Sequence, residues 1–501
     1  MKKFEDKILP ALWYVLAFGF LYIWFSRIHP LQVYDADDWT YLANIRSALP
    51  IWGDWNPAKV FPEMVMPAVS SVAYYGLMPL IGDYLRTFTV VHAAVVSGFI
   101  TLYLWCFSGM LKRNWNLNSV SRVLFSALFL LFHFLVFRSK DIANLYMFHC
   151  VDLNCYYNYL IPGLMAGSAV MFMVGNPDFE EFARRGSPEK RGIALVFFYL
   201  TIFSNLTTSG IVAAFAGSVL LLRLLMSWKR FRLKEYVVSN GVYLMIMVLW
   251  VVSAVFELSG GRASNSGQSS LFKRLADTAY LLKEVILQCN PAFWATVIGI
   301  VVLAVVYFIR EKGSGTEEKK FLEDLKFLFV AAAALLVYMV LLCAVVDPGY
   351  MLRSEYLFGL FFYGFVLVFV AAAYVAKRCP GFMMVLPLLL LVLISQVNTS
   401  GRTFQESNKY NVHPQICDAV SRDILDQILA ADAAGEKSMV LYVPYNVADP
   451  YQGDNWPHTL ILMPRVSGAL YEHGMTRNYI LIEEVIPSSE MNARHGLPMP
   501  E

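Results

Sequence analysis

The sequence predicts an all-α polytopic membrane protein of about eleven transmembrane helices, with a small α/β extracytoplasmic domain at its C-terminus. Three observations predict it. Apolar residues fill 57% of 501 positions and charged residues only 16%, more apolar surface than one soluble core can bury. Uncharged runs of about 20 residues, enough to cross a hydrocarbon layer of about 30 Å, recur as far as Val397. After Val397 the Leu-Val runs give way to Asp, Asn, Pro and His.

Hydropathy places the spans near 8 to 26, 87 to 111, 119 to 137, 157 to 175, 192 to 207, 209 to 227, 237 to 256, 291 to 310, 327 to 346, 355 to 375 and 381 to 397. The first follows Met1-Lys2-Lys3 and lacks Ala-x-Ala-type cleavage residues after it, so it is expected to stay as a signal anchor. Residues 64 to 82 are also apolar, but Pro62, Pro67, Gly76 and Pro79 disfavour a straight helix there. A juxtamembrane or re-entrant hairpin on the outer side is the expectation for that stretch.

A net charge of +2 says little by itself; the sorting of charge says more. Basic residues gather at Lys2, Lys3 and Lys7, at Lys112 and Arg113, at Arg184, Arg185, Lys190 and Arg191, and at Lys229, Arg230, Arg232 and Lys234. Further clusters are Arg310 with Lys312, Lys319, Lys320 and Lys326, and Lys377 with Arg378. If these lie in the cytoplasm, the N-terminus is cytoplasmic and 64 to 82 does not cross. The chain then divides into a membrane domain, 1–397, with an outer loop at 27–86, and an outer soluble domain, 398–501. With most soluble mass outside the cytoplasmic membrane, ATP-dependent chemistry is disfavoured.

In the tail, Ile416, Val420, Ile424, Leu425, Ile428 and Leu429 keep helical spacing, so an amphipathic helix is expected from 413 to 434. Three short β-branched or aromatic runs, 438–444, 459–463 and 478–483, are expected as strands. Cys150 and Cys155 have four residues between them, a spacing that does not by itself ensure bridging geometry and leaves both a disulfide and two free buried thiols open. No zinc pattern appears.

Chemistry concentrates where the first outer loop opens, at Tyr34-Asp35-Ala36-Asp37-Asp38-Trp39. Trp39, Leu42, Ile45 and Leu49 share one helical face, which predicts an interfacial helix. One aspartate would serve to cap it. Three clustered carboxylates exceed that need and suit binding of a proton or cation. Asp35, Asp37 and Asp38 together offer oxygen ligands for Mg²⁺, Mn²⁺ or Ca²⁺, though no cofactor is required by the pattern.

With that acidic pair and aromatic after a first span, interfacial helices, many further spans and an outer C-terminal domain, the chain resembles the GT-C superfamily. These are polyprenyl-phosphate-sugar-dependent membrane glycosyltransferases, and the nearest resemblance is to bacterial O-antigen and surface-polysaccharide glucosyltransferases. The resemblance implies an inverting transferase in which Asp37 or Asp38 is the general base that deprotonates an acceptor hydroxyl. It also implies a polyprenyl-phosphate sugar donor, a glycan acceptor and the lipid bilayer as partners, with no nucleic acid.

A phosphate leaving group gains from nearby cations. Arg353, in Asp347-Pro-Gly-Tyr-Met-Leu-Arg353-Ser-Glu355, qualifies best, with pairing to Glu355 as its plain alternative. Lys59 and Glu63 follow the acidic helix, although many members of the group carry an Arg near Lys59. Arg262, among glycines at 259 to 267, suits either a phosphate or a mobile linker. His149, Tyr156 and Tyr157 lie in an aromatic and amide-rich stretch that suits sugars or a membrane interface. Rival readings are a polysaccharide polymerase or ligase, and a transporter or flippase of lipid-linked sugars.

Overall fold

The computed structural model describes residues 2–33, 36–44, 57–137, 146–150, 152–176, 179–258, 270–311, 315–397, 414–445 and 459–499. Helix α1 covers Lys2–Ile23 and runs on as a π turn over Trp24–Ile28. The short α2, Ala36–Ala43, precedes α3, a run of alternating α and π turns over Phe61–Ile81. Then come α4 Tyr84–Trp115, α5 Ser119–Leu135, α6 Leu153–Val174, α7 Phe179–Arg185 and α8 Pro188–Ile202. The chain continues through α9 Leu206–Arg230, α10 Leu233–Ser239, α11 Gly241–Leu258, α12 Leu271–Leu287, α13 Pro291–Arg310, α14 Thr316–Val346, α15 Ser354–Arg378 and α16 Pro380–Ile394. A C-terminal unit follows: α17 Pro414–Ala434, β1 Ser438–Pro444, α18 Thr459–Glu472, β2 Leu481–Ser488 and α19 Ser489–His495.

Among the described residues eight helical runs are long and apolar enough to cross a membrane: Lys7–Ile28, α3, α4, α6, α9, α13, α14 and α15. The pair α10 and α11, bent by 81°, would make a ninth. Ser119–Leu135 and Pro380–Ile394 are shorter apolar helices, and the run expected at 192 to 207 is the 15-residue α8. The protein is thus an all-α polytopic chain with many apolar helices, whose outer faces carry bare Leu, Ile and Val such as Ile309, Val337, Leu388 and Leu391. Such faces need lipid rather than water.

Contacts fix how the helices run. His92 Nδ1 and the Tyr157 hydroxyl are hydrogen-bonded at 2.6 Å, Tyr103 lies against Gly167, and Met110 lies against Gly175. These pairs advance together, so α4 and α6 are parallel. Tyr103 with His133 and Phe107 with Phe129 pair in opposite order, which makes α5 antiparallel to α4. Gly163 and Gly167 meet the rings of Phe358 and Phe362 in turn, so α15 parallels α6. A side chain at either glycine would hold these helices apart, which is why small residues mark close helix approach.

The two ends of the bundle differ. One carries the basic residues: Arg113 donates to Asn176, Arg223 pairs with Glu180 at 2.6 Å, and Arg378 pairs with Glu317 and Glu318. The other end carries the C-terminal unit. There α3 folds back along α4, with Phe61 against Phe99, Ser70 hydrogen-bonded to His92, and Tyr74 against Tyr84. Length and composition qualify α3 as a span, contrary to what its prolines predict. Pro62, Pro67 and Pro79 stand in the first positions of successive α and π turns, where a missing N–H is harmless. Its contacts nevertheless reach only the middle of α4, and the N–H of Val60 donates to Phe203 O at the end of α8.

In the C-terminal unit, β1 and β2 pair in parallel, joined through α18, and α17 packs its apolar face, including Val420, Ile424 and Ile428, in the core. The amphipathic helix is therefore as expected. Residues 459–463 are not a strand: they begin α18, whose Val466, Ala469 and Leu470 are buried at helical spacing. The run expected from 478 shifts to Leu481–Ser488. Gln427 closes the free edge of β1, its amide donating to Tyr442 O at 2.9 Å and accepting from Tyr442 N at 3.0 Å.

The glycine contacts predict a contrast. Gly167→Val sets a Cβ about where Tyr103 lies 2.9 Å and Phe362 3.0 Å away and is expected to destabilise the bundle by about 1–3 kcal/mol. Gly98→Ala, with nothing within 4 Å, is expected to leave it unchanged or firmer. Monodispersity of the detergent-solubilised protein after graded heating checks both.

Candidate functional site

The site grows from the start of α6. An α-helix begins with unpaired N–H groups and a positive dipole end, so carboxylates gather there. Asp152 accepts from Cys155 N at 2.6 Å. Asp38, brought in on α2, accepts from Asn154 N at 2.6 Å and Leu153 N at 3.4 Å. Asp38 is 0% exposed, so the expected capping role is real but is exercised on a different helix from its own.

Asp37 points elsewhere. Its carboxylate, 47% exposed, accepts from Arg465 Nη1 of α18 at 2.8 Å. Neighbours on a helix differ by about 100° in direction, which puts one aspartate into the bundle and the other toward the C-terminal unit. Trp39 and Leu42 are buried as the helical pattern predicts; Ile45, Leu49 and Asp35 lie outside the described residues. Among the described residues no group of three His, Cys, Asp or Glu converges as for a metal ion.

Arg353 stands beside the same helix start. Its Nε donates to Glu355 at 2.5 Å and its Nη2 approaches Cys155 Sγ at 3.5 Å. The guanidinium carbon lies 5.7 Å from the ring centres of Tyr159 and Tyr350 and 5.9 Å from that of Tyr356. Burial alone would lower its pKa, but Glu355, Cys155 and the tyrosines hold it above its ordinary value. The pairing with Glu355 is therefore present, and Arg353 also sits in a cage of aromatic faces. Beside the cage a cleft of about 120 Å³ opens between α6, α9 and α14. Tyr159, Asn205, Glu257, Tyr350 and Tyr356 form its polar wall, and Leu206, Leu342 and Val346 its apolar one. This volume is below the ~300 Å³ of an ordinary ligand pocket, and among the described residues the one charged residue in its lining is Glu257.

Ser354 Oγ donates to His149 O at 2.9 Å, tying the cage to the loop before α6. His149 and His29 are both buried against the Tyr146 ring. Burial pushes His149 down to about 3, with His29 and Arg353 adding to the shift, and burial pushes His29 down to about 4. Neither Nε2 has a hydrogen-bond partner among the described residues.

The structure thus brings Asp37, Asp38, His149 and Arg353 to one end of the bundle. Tyr156 and Tyr157 are close in sequence but serve packing: Tyr156 meets Phe25, and Tyr157 bonds to His92. Lys59 and Glu63 begin α3. Lys59 has φ 54°, a left-handed conformation that costs a non-glycine residue about 1–2 kcal/mol. Arg262 lies outside the described residues. Cys150 and Cys155 are free buried thiols. Two of the cage tyrosines, Tyr350 and Tyr356, flank Arg353 at three residues on either side, a signal present in the sequence; Tyr159 and Arg465 left no such signal.

The C-terminal unit docks on this end. Besides Asp37–Arg465, Arg422 pairs with Asp83 at 2.9 Å. His473 stacks on Tyr74 at 4.4 Å, its Nδ1 is hydrogen-bonded to the Tyr84 hydroxyl at 2.7 Å, and its ring also reaches the Leu42 backbone. The ion pairs are partly exposed and contribute about 0.2–1 kcal/mol each; the histidine socket is the stronger anchor.

No known protein family, curated protein or solved structure matches this chain.

The socket makes docking depend on pH. Burial pushes His473 down to about 4, whereas an undocked histidine takes up its proton near pH 6.5. Docking is therefore at full strength above about 6.5 and weakens as pH falls toward 4. The protection factors of 459–473 against hydrogen exchange, taken relative to the intrinsic rate at each pH, are expected to fall across that window, and His473→Phe to remove that part of the dependence.

Proposed function

We propose that this chain is an inverting membrane glycosyltransferase of the GT-C type, moving a sugar from a polyprenyl-phosphate donor to a surface polysaccharide or lipid-linked glycan on the outer side of the cytoplasmic membrane. The observation that carries the reading is the shared end of the bundle: a half-exposed carboxylate, Asp37, lies there with the Arg353 tyrosine cage and its amphipathic cleft. The orientation that goes with it puts the N-terminus in the cytoplasm and the C-terminal unit outside. It counts about eleven crossings, namely α1, α4, α5, α6, α8, α9, α11, α13, α14, α15 and α16, with α3 folded back along the outer half of α4 without crossing.

In the proposed reaction Asp37 is the base, because the Asp38 carboxylate is buried on the start of α6. Asp37 takes the proton of an acceptor hydroxyl, and the hydroxyl oxygen bonds to the anomeric carbon from the face opposite the phosphate. The bond between that carbon and the phosphate oxygen breaks, and its electron pair leaves on the polyprenyl phosphate. Arg353 offers positive charge to that phosphate, and the cage tyrosines offer ring faces and hydroxyls to the sugar.

A second reading has one observation on its side. His92 and His133 are buried inside the bundle and hydrogen-bonded to Tyr157 and Tyr103, and intramembrane ionisable groups mark proton paths in transporters.

Membranes carrying each variant, supplied with a radiolabelled polyprenyl-phosphate sugar, test the proposal. Asp37→Asn is expected to lose about 10²–10⁴-fold in transfer with the protein still folded, and Arg353→Gln to lose transfer as well. Full transfer by Asp37→Asn sinks the base assignment. No transfer by the wild type, alongside proton-coupled uptake of a solute that His92→Phe abolishes, favours the transporter. A reporter fused after Arg113 is expected to report from the cytoplasm.

A further inference from the structure

At the opposite end of the bundle, the segment 228–240 plays no part in the chemistry above. It holds Lys229, Arg230, Arg232 and Lys234 against one carboxylate, Glu235. Interleaved with them are Trp228 and Leu233, each 66% exposed, together with exposed Phe231, Val237 and Val238. A soluble protein rarely leaves such a group bare. The bend of 81° between α10 and α11 turns α10 nearly perpendicular to the apolar helix that follows. If α11 stands across a bilayer, α10 lies along its surface, the posture of an interfacial helix with cationic and apolar faces.

Behind α10 is a cleft of about 340 Å³ whose lining includes Arg223, Arg230, Arg232, Glu235, Tyr236 and Asn240. Arg223 is fixed in place: it pairs with Glu180 at 2.6 Å, donates to Asn240 at 2.8 Å and lies 5.3 Å over the Tyr243 ring. Tyr236 is fixed too, its hydroxyl donating to Leu220 O at 2.7 Å. Arg232 is held to Glu235 at 2.9 Å. Three guanidiniums facing two carboxylates leave the cleft positive, and guanidinium forks match phosphate oxygens.

We propose that this cleft binds the phosphate headgroup of an anionic phospholipid, with α10 and Trp228 seated in the surrounding bilayer surface. A phosphate-bearing solute would satisfy the same arginines, but the exposed apolar residues around the rim favour a lipid, whose chains they would meet. This site is separate from the Asp37 end and does not depend on the transferase reading.

The test uses the full-length protein in micelles doped with equal phosphatidylglycerol and phosphatidylcholine, with bound lipid counted by native mass spectrometry. Preferential retention of phosphatidylglycerol is expected, falling about fivefold for each arginine removed in Arg230→Gln and Arg232→Gln. Both side chains are at the surface, so the variants are expected to fold. Arg310→Gln/Lys377→Gln, which removes two charges elsewhere at the same end, is the control and should retain the lipid. Equal retention of the two lipids by the wild type, or equal loss in the control, overturns the site. Displacement of phosphatidylglycerol by millimolar inorganic phosphate overturns the lipid as occupant.

Discussion

Inside a hydrocarbon layer no water is present to satisfy backbone N–H and C=O groups, so a spanning chain has to satisfy them within its own helices. Most of this architecture follows from that constraint. It forces the apolar runs into helices, directs bare Leu and Val faces outward, and confines charge to the two ends. Between the ends, His92 is bound to Tyr157 and Tyr103 to His133, while hydroxyls such as those of Thr101 and Ser218 bond to carbonyls of their own helices. Close packing of α4, α6 and α15 at Gly163 and Gly167 then holds the ends in fixed relation.

At the end that carries the candidate site, the start of α6 is the organising point. Its unpaired N–H groups attract Asp38 from α2 and Asp152 from the preceding turn. Burying those carboxylates would be costly without such donors. The result is that α2 is clamped to the bundle by one aspartate while its neighbour, Asp37, remains at the surface. Arg353 reaches the same turn through Cys155 and ties the α14–α15 connection to it. One helix terminus thus joins three distant stretches of chain.

The C-terminal unit adds a further layer by mostly weak contacts. Partly exposed ion pairs such as Arg465–Asp37 and Arg422–Asp83 confer register more than stability. The buried His473, stacked on Tyr74 and bonded to Tyr84, contributes more, since both its apolar area and its polar atoms are matched. Among the described residues the basic end has no comparable cover; its Arg and Lys residues meet helix ends, carboxylates and solvent.

Composition and periodicity by themselves determined the membrane character, the positions of most long helices and the amphipathic α17, because hydropathy and helical spacing act within a few turns of chain. They failed at 459–463, where a β-branched run was drawn into a helix by the burial of Val466, Ala469 and Leu470, and at α3, whose prolines fell at harmless positions. They marked Asp37, Asp38 and Arg353 as candidates but could not separate them. Only the tertiary structure decided that Asp38 caps α6 while Asp37 meets Arg465, 428 positions away, and that Tyr159 joins Tyr350 and Tyr356 around Arg353. Exposure and charge pairing depend on which remote surfaces come together, and no local pattern of residues carries that information.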